Sequence, residues 1–439
     1  MGIIKLEVER LTIYVVQPGD SLWSISRRFG VSMDTISSAN KLYEIPSLVI
    51  GQALVIPTTE TSYTVRPGDS LWSIANRFGM NFETLARYNG ISYPYIIQIG
   101  MTLRIPDRRK NYGYVEVNAY IEPSTAQREA EIVNEVGKYL TYITPFSYMV
   151  NSDGTVDDID DTAIRTTAAN YKVAPLMAIT NFSNGNFSSE IAHSILADNA
   201  ISQKLLNNVI AIMKRKKFYG LNIDFERIFP ADRELYNNFL RKAADILHRN
   251  NYILSTALAP KTSATQVGEW YEAHDYPAHG EIADFVIIMT YEWGWSGGPP
   301  LPVAPINSVR RVLDYAVSVI PRKKIMMGMP LYGYDWKLPF VPGGPFAPRI
   351  SPQEALSIAA RYGSIVRYDT EAQSPFFNYY DRDRKQHIVW FEDARSVRAK
   401  FLTVVEYGLR GVSYWVLGES FPQNWLVLDD MFNIVKVLR

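Results

Sequence analysis

The feature that most restricts this chain is an internal duplication. VVQPGDSLWSISRRFGVSMDTISSAN, from Val15, recurs as TVRPGDSLWSIANRFGMNFETLARYN, from Thr64. The register has no gap, and it holds through LVIP (Leu54–Pro57) and LRIP (Leu103–Pro106). A repeat of this kind has to fold as one unit used twice. At under about 50 residues, each copy is close to the lower limit for an independent core.

Each copy reads as strand, helix, helix, strand. Tyr14–Val16 and Tyr63–Val65 are β-rich and run into Pro-Gly-Asp, where Asp20 and Asp69 are placed to cap the next helix. Leu22, Ile25 and Phe29 recur near helical spacing, as do Leu71, Ile74 and Phe78. Gly30 and Gly79 give the permissive backbone past the helix end, and Ser32 and Asn81 start the second helix. Leu54 and Ile56, or Leu103 and Ile105, mark the closing strand. The separator Thr58–Ser62 is short and polar.

After the charged joint Asp107–Lys110 the pattern changes, and short β-rich runs alternate with longer helical stretches. Strands are expected near Val115–Ile121, Tyr142–Met149, Ala174–Ile179, Gly220–Phe225, Ile253–Ala259, Phe285–Thr290, Lys324–Met329 and Gly411–Trp415. Asp232–Arg249 and Ser308–Val319 are representative helices between them. Eight such units imply an α/β fold, a (β/α)8 TIM barrel. The interval Tyr334–Leu409 is too long for one helix, and its middle reads as strands and turns, a small inserted α+β lobe. The expected domains are 12–57, 62–106 and 112–439, with the lobe at about 337–405.

Barrel active sites lie at the carboxyl ends of the strands, which makes YGLNIDFER (Tyr219–Arg227) the most informative run. Side chains alternate along a strand. Leu221, Ile223 and Phe225 share the face that packs on helices. Asn222, Asp224 and Glu226 share the face inside the barrel, with Glu226 outermost. Buried carboxylates are costly unless paired or protonated. A structural ion pair with Arg227 or a distant lysine is the rival reading of these acids.

Composition excludes other chemistries. With no cysteine, thiolate metal sites, cysteine nucleophiles and disulfides are ruled out. Five scattered histidines make no metal-ligand spacing, so neither metal nor cofactor is expected. With 45 basic and 45 acidic residues, formal net charge is zero, and nothing favours nucleic acid as a partner. Gly297–Gly298 and Gly343–Gly344 lack a strand–turn–helix setting for phosphate, and there is no GxSxG elbow. Lys5, Glu7, Glu9 and Arg10 interrupt the N-terminal apolar run. No cleavable signal and no membrane span are therefore expected, and the protein is expected to be made in a cytoplasm.

The duplicated pattern Y-x-V-x-x-G-D-S-L-x-x-I resembles LysM domains over 12–57 and 62–106. That resemblance implies binding to glycans containing N-acetylglucosamine, with a structural or protein-binding duplication as the rival. Two weak modules in tandem would lengthen residence on a polymer. YGLNIDFE resembles the family 18 glycoside hydrolase signature D-G-x-D-x-D-x-E on the fourth barrel strand. IMTYEW (Ile288–Trp293), GMPLYGYDW (Gly328–Trp336) and SYW (Ser413–Trp415) match that family's later motifs in order. Tyr219 and Asn222 replace two signature aspartates, and AITN (Ala178–Asn181) replaces S-x-G-G.

The resemblance implies catalytic roles for Glu226 as acid, Asp224 as its partner, Tyr291 as a donor to the substrate acetamido group, and Asn222 positioning Asp224. It also implies substrate contacts from Trp415, Met289, Glu292, Trp293, Tyr332 and Asn181. Trp295 is read as a further subsite wall, and Trp336 as either wall or packing. Taken with the tandem LysM modules and HIVWFEDARS (His387–Ser396), the pattern is similar to spore-associated peptidoglycan glucosaminidases of endospore-forming bacteria. The implied partner is peptidoglycan, the expected state a monomer, and the expected place the spore coat and cortex layers after synthesis in the mother cell. A chitinase and a non-catalytic glycan scaffold are the alternatives.

Overall fold

A computed structural model describes residues 11–57, 61–78, 80–105 and 112–438. Eight parallel strands close into a barrel: Tyr114–Ile121, Tyr142–Pro145, Ala174–Thr180, Gly220–Asp224, Ile253–Leu258, Phe285–Ile288, Ile325–Pro330 and Gly411–Trp415. The eighth pairs back onto the first, with Gly411 opposite Glu116 and Ser413 opposite Asn118. A helix follows each strand, including Arg233–Arg249 after the fourth and Ile306–Val319 after the sixth. The expected second strand is shorter than its apolar run. It stops at Pro145, which has no N–H for the ladder, and Tyr148–Met149 forms a separate short strand beside the third.

The strand alternation decides what faces where. Leu221, Ile223 and Phe225 are fully buried in the large core between strands and helices. Each contributes about 1.5–3 kcal/mol through burial. Tyr120, Tyr142, Leu176, Phe285, Ile287 and Met326 form a second cluster inside the barrel. A satisfied polar row runs among them. Thr144 donates to Asn118 Oδ1 at 2.7 Å, and Asn118 Nδ2 donates to Ser413 Oγ at 2.9 Å.

After the seventh strand the chain builds a five-stranded antiparallel sheet in the order Arg349–Ile350, Gly333–Lys337, Gln386–Trp390, Ser374–Tyr380, Arg367–Asp369. Helix Pro352–Arg361 covers it. This sheet starts at Gly333. Helix Ala394–Tyr407 packs instead with the barrel core, through Val397, Phe401 and Val404.

Both small modules show the strand–helix–helix–strand order, and each pairs its first strand with its last. Asp20 and Asp69 do not cap the helices. Ser21 and Ser70 do, each in a capping box with the serine three residues on. The aspartates close the preceding turn: each accepts a tyrosine hydroxyl (Tyr14 or Tyr63) and the backbone N–H of Gln17 or Arg66. Gly30 takes the left-handed cap conformation, and Ser32 and Asn81 cap the second helices. Gly79 and the joints 58–60 and 106–111 lie outside the described residues. Asn40 and Asn89, which end the duplicated stretches, clasp the closing strand by accepting from Val55 or Arg104 N–H and donating to the same residue's carbonyl.

Candidate active site

The fourth strand ends at Asp224, opposite Thr180 of the third, and Glu226 follows at the mouth of the barrel. The backbone there is fixed from three sides. Asn181 Oδ1 accepts the Glu226 N–H at 3.0 Å, and its Nδ2 donates to the Glu226 carbonyl at 2.8 Å. His274 Nδ1 accepts the Ala259 N–H, so its proton sits on Nε2, which donates to the Phe225 carbonyl at 3.0 Å. Burial lowers His274 to about 4 and keeps it neutral. Ser189 Oγ donates to the Arg227 carbonyl.

Arg227 turns away from the acids. Its backbone lies at φ +51°, and its guanidinium pairs with Glu269 at 3.1 Å over the Trp270 ring. Among the described residues, no ion pair reaches Asp224 or Glu226, and Asp224 Oδ1 is buried without a donor. The structural ion-pair reading therefore has no partner in this fold. Burial pushes the Asp224 carboxyl up to about 7. Burial, and then the charge of Asp224, push Glu226 well above the ordinary glutamate range. A carboxyl pair of this kind holds a proton near neutrality, the state a general acid needs.

Two tyrosines lie beside the pair. The Tyr291 hydroxyl is driven well up by burial, then by Asp224, Glu226 and Glu292, so it stays protonated as a donor. Tyr120 donates to Asn222 Oδ1 at 2.9 Å, and burial with the nearby Asp224 charge keeps it protonated too. Asn222 donates its Nδ2 to Ser255 Oγ at 3.0 Å, its neighbour across the strand pair. Both ends of the Asn222 amide are thus engaged with Tyr120 and Ser255, and neither bonds to Asp224. Asn222 can act on Asp224 only through packing and its neutral charge.

The sequence-predicted contact residues divide. Trp415 ends the eighth strand half-buried, edge-on to Phe146 at 4.7 Å and Tyr120 at 5.6 Å, bridging the barrel interior and the lobe. Met289, Trp293 and Glu292 are half-buried after the sixth strand. Glu292, at φ +66°, accepts from the Tyr332 and Tyr334 hydroxyls on one oxygen, and burial raises its carboxyl. Tyr332 is fully buried, and its hydroxyl supports Glu292. Trp336 is likewise core, its Nε1 donating to the Gly298 carbonyl at 3.0 Å. Asn181 is fully buried, with its amide spent on backbone. It holds the backbone of Glu226. Trp295 is exposed beside Phe346 and lies against Gly297 and Gly298, where a side chain would collide with its ring. His274 went unforeseen because a single histidine in a loop carries no pattern.

The profile of Glycosyl hydrolases family 18 matches residues 116–419, and that of the LysM domain matches 14–57 and 63–106. The chain is 52% identical over 429 residues to the cortical fragment-lytic enzyme of Bacillus subtilis, covering 97% of this chain and 99% of that one. The crystal structure of the Bacillus megaterium spore cortex-lytic enzyme SleL is similar at TM-score 0.88 and 44% identity, covering 98% of this chain and all of that one. A chitinase structure from Chromobacterium violaceum is similar at TM-score 0.66 and 28% identity over 72% of this chain and 98% of its own.

Proposed function

This chain belongs to the family 18 glycosyl hydrolases and carries two LysM domains ahead of its catalytic barrel, and on that footing we propose that it cleaves spore-cortex peptidoglycan on the reducing side of N-acetylglucosamine. It is a glycoside hydrolase closely related to Bacillus spore cortex-lytic enzymes. The observation that carries the finer reading is the pair of buried Asp224 and half-buried Glu226, both raised in pKa and without a cation among the described residues, at the mouth of the barrel.

Glu226 protonates the glycosidic oxygen as the bond to the anomeric carbon breaks. The 2-acetamido oxygen of the same sugar attacks that carbon, giving an oxazolinium; this family is an exception to the two-carboxylate rule in using the substrate as nucleophile. Asp224, whose Oδ1 lacks a protein donor, accepts the acetamido N–H and balances the positive charge that forms. Tyr291 donates to the acetamido oxygen and aims it, and Trp415 supports the sugar ring. Glu226, now a carboxylate, takes a proton from water as it opens the ring, so configuration is retained.

The acetamido group is therefore required in the catalytic subsite. Muramic residues present as lactams lack that free group, so cleavage falls after N-acetylglucosamine. The protein acts as a monomer in the spore layers, made in the mother cell and held there by its LysM modules. Mass spectrometry of cortex-fragment digests tests this. New reducing ends are expected on N-acetylglucosamine, and muramic reducing ends would sink it. The likeness to a chitinase fold supports a second reading, which predicts soluble oligomers from chitin and none from cortex fragments.

A further inference from the structure

Arg227 follows the acid Glu226 directly and takes no part in the hydrolytic steps. Its backbone lies in the left-handed region at φ +51°, which a residue other than glycine holds only where its surroundings enforce it. Two neighbouring segments do so. Ser189, which opens the helix after the third strand, donates to the Arg227 carbonyl. Trp270, in the stretch after the fifth strand, lies 5.6 Å from the guanidinium at its ring centroid.

The guanidinium itself is only partly engaged. Nη2 donates to Glu269 at 3.1 Å, Nε is buried without an acceptor, and Nη1 bonds to none of the described residues. The Arg227 side chain is 37% exposed and that of Glu269 58%, and a one-nitrogen pair at such exposure adds little to stability. Glu190, the other acid that feels the Arg227 charge, already accepts from Ser188 Oγ at 2.9 Å. An arginine fork suits both oxygens of one carboxylate. Exchanging Glu269 for an incoming carboxylate that takes Nη1 and Nη2 together would cost the fold little.

The chemistry of the leaving group supplies such a carboxylate. Trp415 and Glu226 stand at the ends of the eighth and fourth strands, on opposite sides of an eight-strand ring. With N-acetylglucosamine on Trp415, the sugar beyond the scissile bond meets the loops after the third, fourth and fifth strands. In peptidoglycan that sugar is muramic acid. It leaves through its O4 and carries a lactyl ether on O3, one ring carbon away. Its acidic branch therefore starts beside the oxygen that Glu226 protonates, and the residue next to Glu226 is the cation. Chitin has a bare hydroxyl at that place, and a muramic lactam has its carboxyl closed into an amide.

We propose that Arg227 recognises the carboxylate on the 3-O-lactyl branch of the leaving muramic residue, with Glu269 holding the guanidinium until substrate arrives. Arg227 is then a specificity-determining residue that favours cuts before muramic residues that are not lactams. This rests on cleavage falling on the reducing side of N-acetylglucosamine.

Two soluble tetrasaccharides of alternating N-acetylglucosamine and muramic residues test it, one with free lactyl carboxylates and one with lactams. The readout is the ratio of kcat/KM for the carboxylate form to that for the lactam form. Arg227→Asn, a residue that tolerates the left-handed backbone, should lower this ratio about tenfold. Arg227→Lys keeps the charge without the fork and should fall between. Glu269→Gln leaves Arg227 in place, frees its guanidinium and should raise the ratio, so the test stands even if Arg227→Asn does not fold. An unchanged ratio in Arg227→Asn, with both substrates slowed alike, would show that the residue only supports Glu226 and would overturn the proposal. An unchanged ratio in Glu269→Gln would overturn it as well. Muramic reducing ends from the unaltered protein would overturn the regiochemistry and this proposal with it, a result read without any variant and so distinct from the ratios.

Discussion

Two of the places where the molecule buries carboxylates differ in their partners. Beneath the first repeat, Glu392 and Lys400 are both 1% exposed and bonded through both carboxylate oxygens at 3.0 and 2.8 Å. Burial raises the Glu392 carboxyl, and the Lys400 ammonium pulls it back. At the mouth of the barrel, Asp224 and Glu226 have no such cation, and the charge of one raises the other further. A carboxylate is a structural fastener in one place and a loaded acid in the other. The partner makes the difference.

Breaking the comparison at the acid should have the largest effect. Glu226→Gln should cost roughly 10²–10⁴-fold in kcat on cortex fragments, with thermal stability held or raised, measured by reducing-sugar release and calorimetry. Glu392→Gln should do the reverse. It leaves Lys400 buried without a counter-charge and should destabilise the fold by about 3–5 kcal/mol, read by denaturant unfolding, with activity per folded molecule little changed. Should the two variants give the same pattern, the distinction drawn here between the sites is wrong.

Finer changes sharpen the contrast. Tyr291→Phe should lower kcat by roughly 10²-fold and leave the unfolding midpoint almost in place; full activity would count against acetamido assistance. Asp224→Asn removes the charge that adds to burial in raising Glu226, so the alkaline limb of its residual kcat/KM profile should move to lower pH. Stability gives the same sign. The Asp224 carboxyl is raised on folding, so its ionisation opposes folding above the unfolded value near about 3.9, and the cost is complete above about 7. Asp224→Asn should therefore raise Tm by about a few degrees at pH 8, with the gain fading toward pH 4.

Much of this was legible in the chain itself. The alternation in GLNIDF assigned Leu221, Ile223 and Phe225 to the outer core and Asn222 and Asp224 to the barrel interior, because a strand offers only two faces. The eight-strand order was readable for the same reason of short period. Roles that depend on a distant neighbour were not. Asn181 looked like a sugar contact, yet its amide is closed on the backbone of Glu226. Tyr332 looked like a wall, yet it is buried under Glu292. Asp20 and Asp69 lost the helix caps to Ser21 and Ser70, because their carboxylates reach back to the turn and to tyrosine.

The duplication shows the same boundary. Sequence alone determined that two copies of one module exist, what each folds into, and that an acidic row stands on the fourth strand, since periodicity, capping and turn chemistry act within a few residues. Tertiary structure alone decided that one copy is docked while the other shows its loop to solvent, that Arg227 turns from the acids, and that no cation reaches them among the described residues. Those outcomes depend on which groups meet across hundreds of positions, and burial and charge act through that meeting.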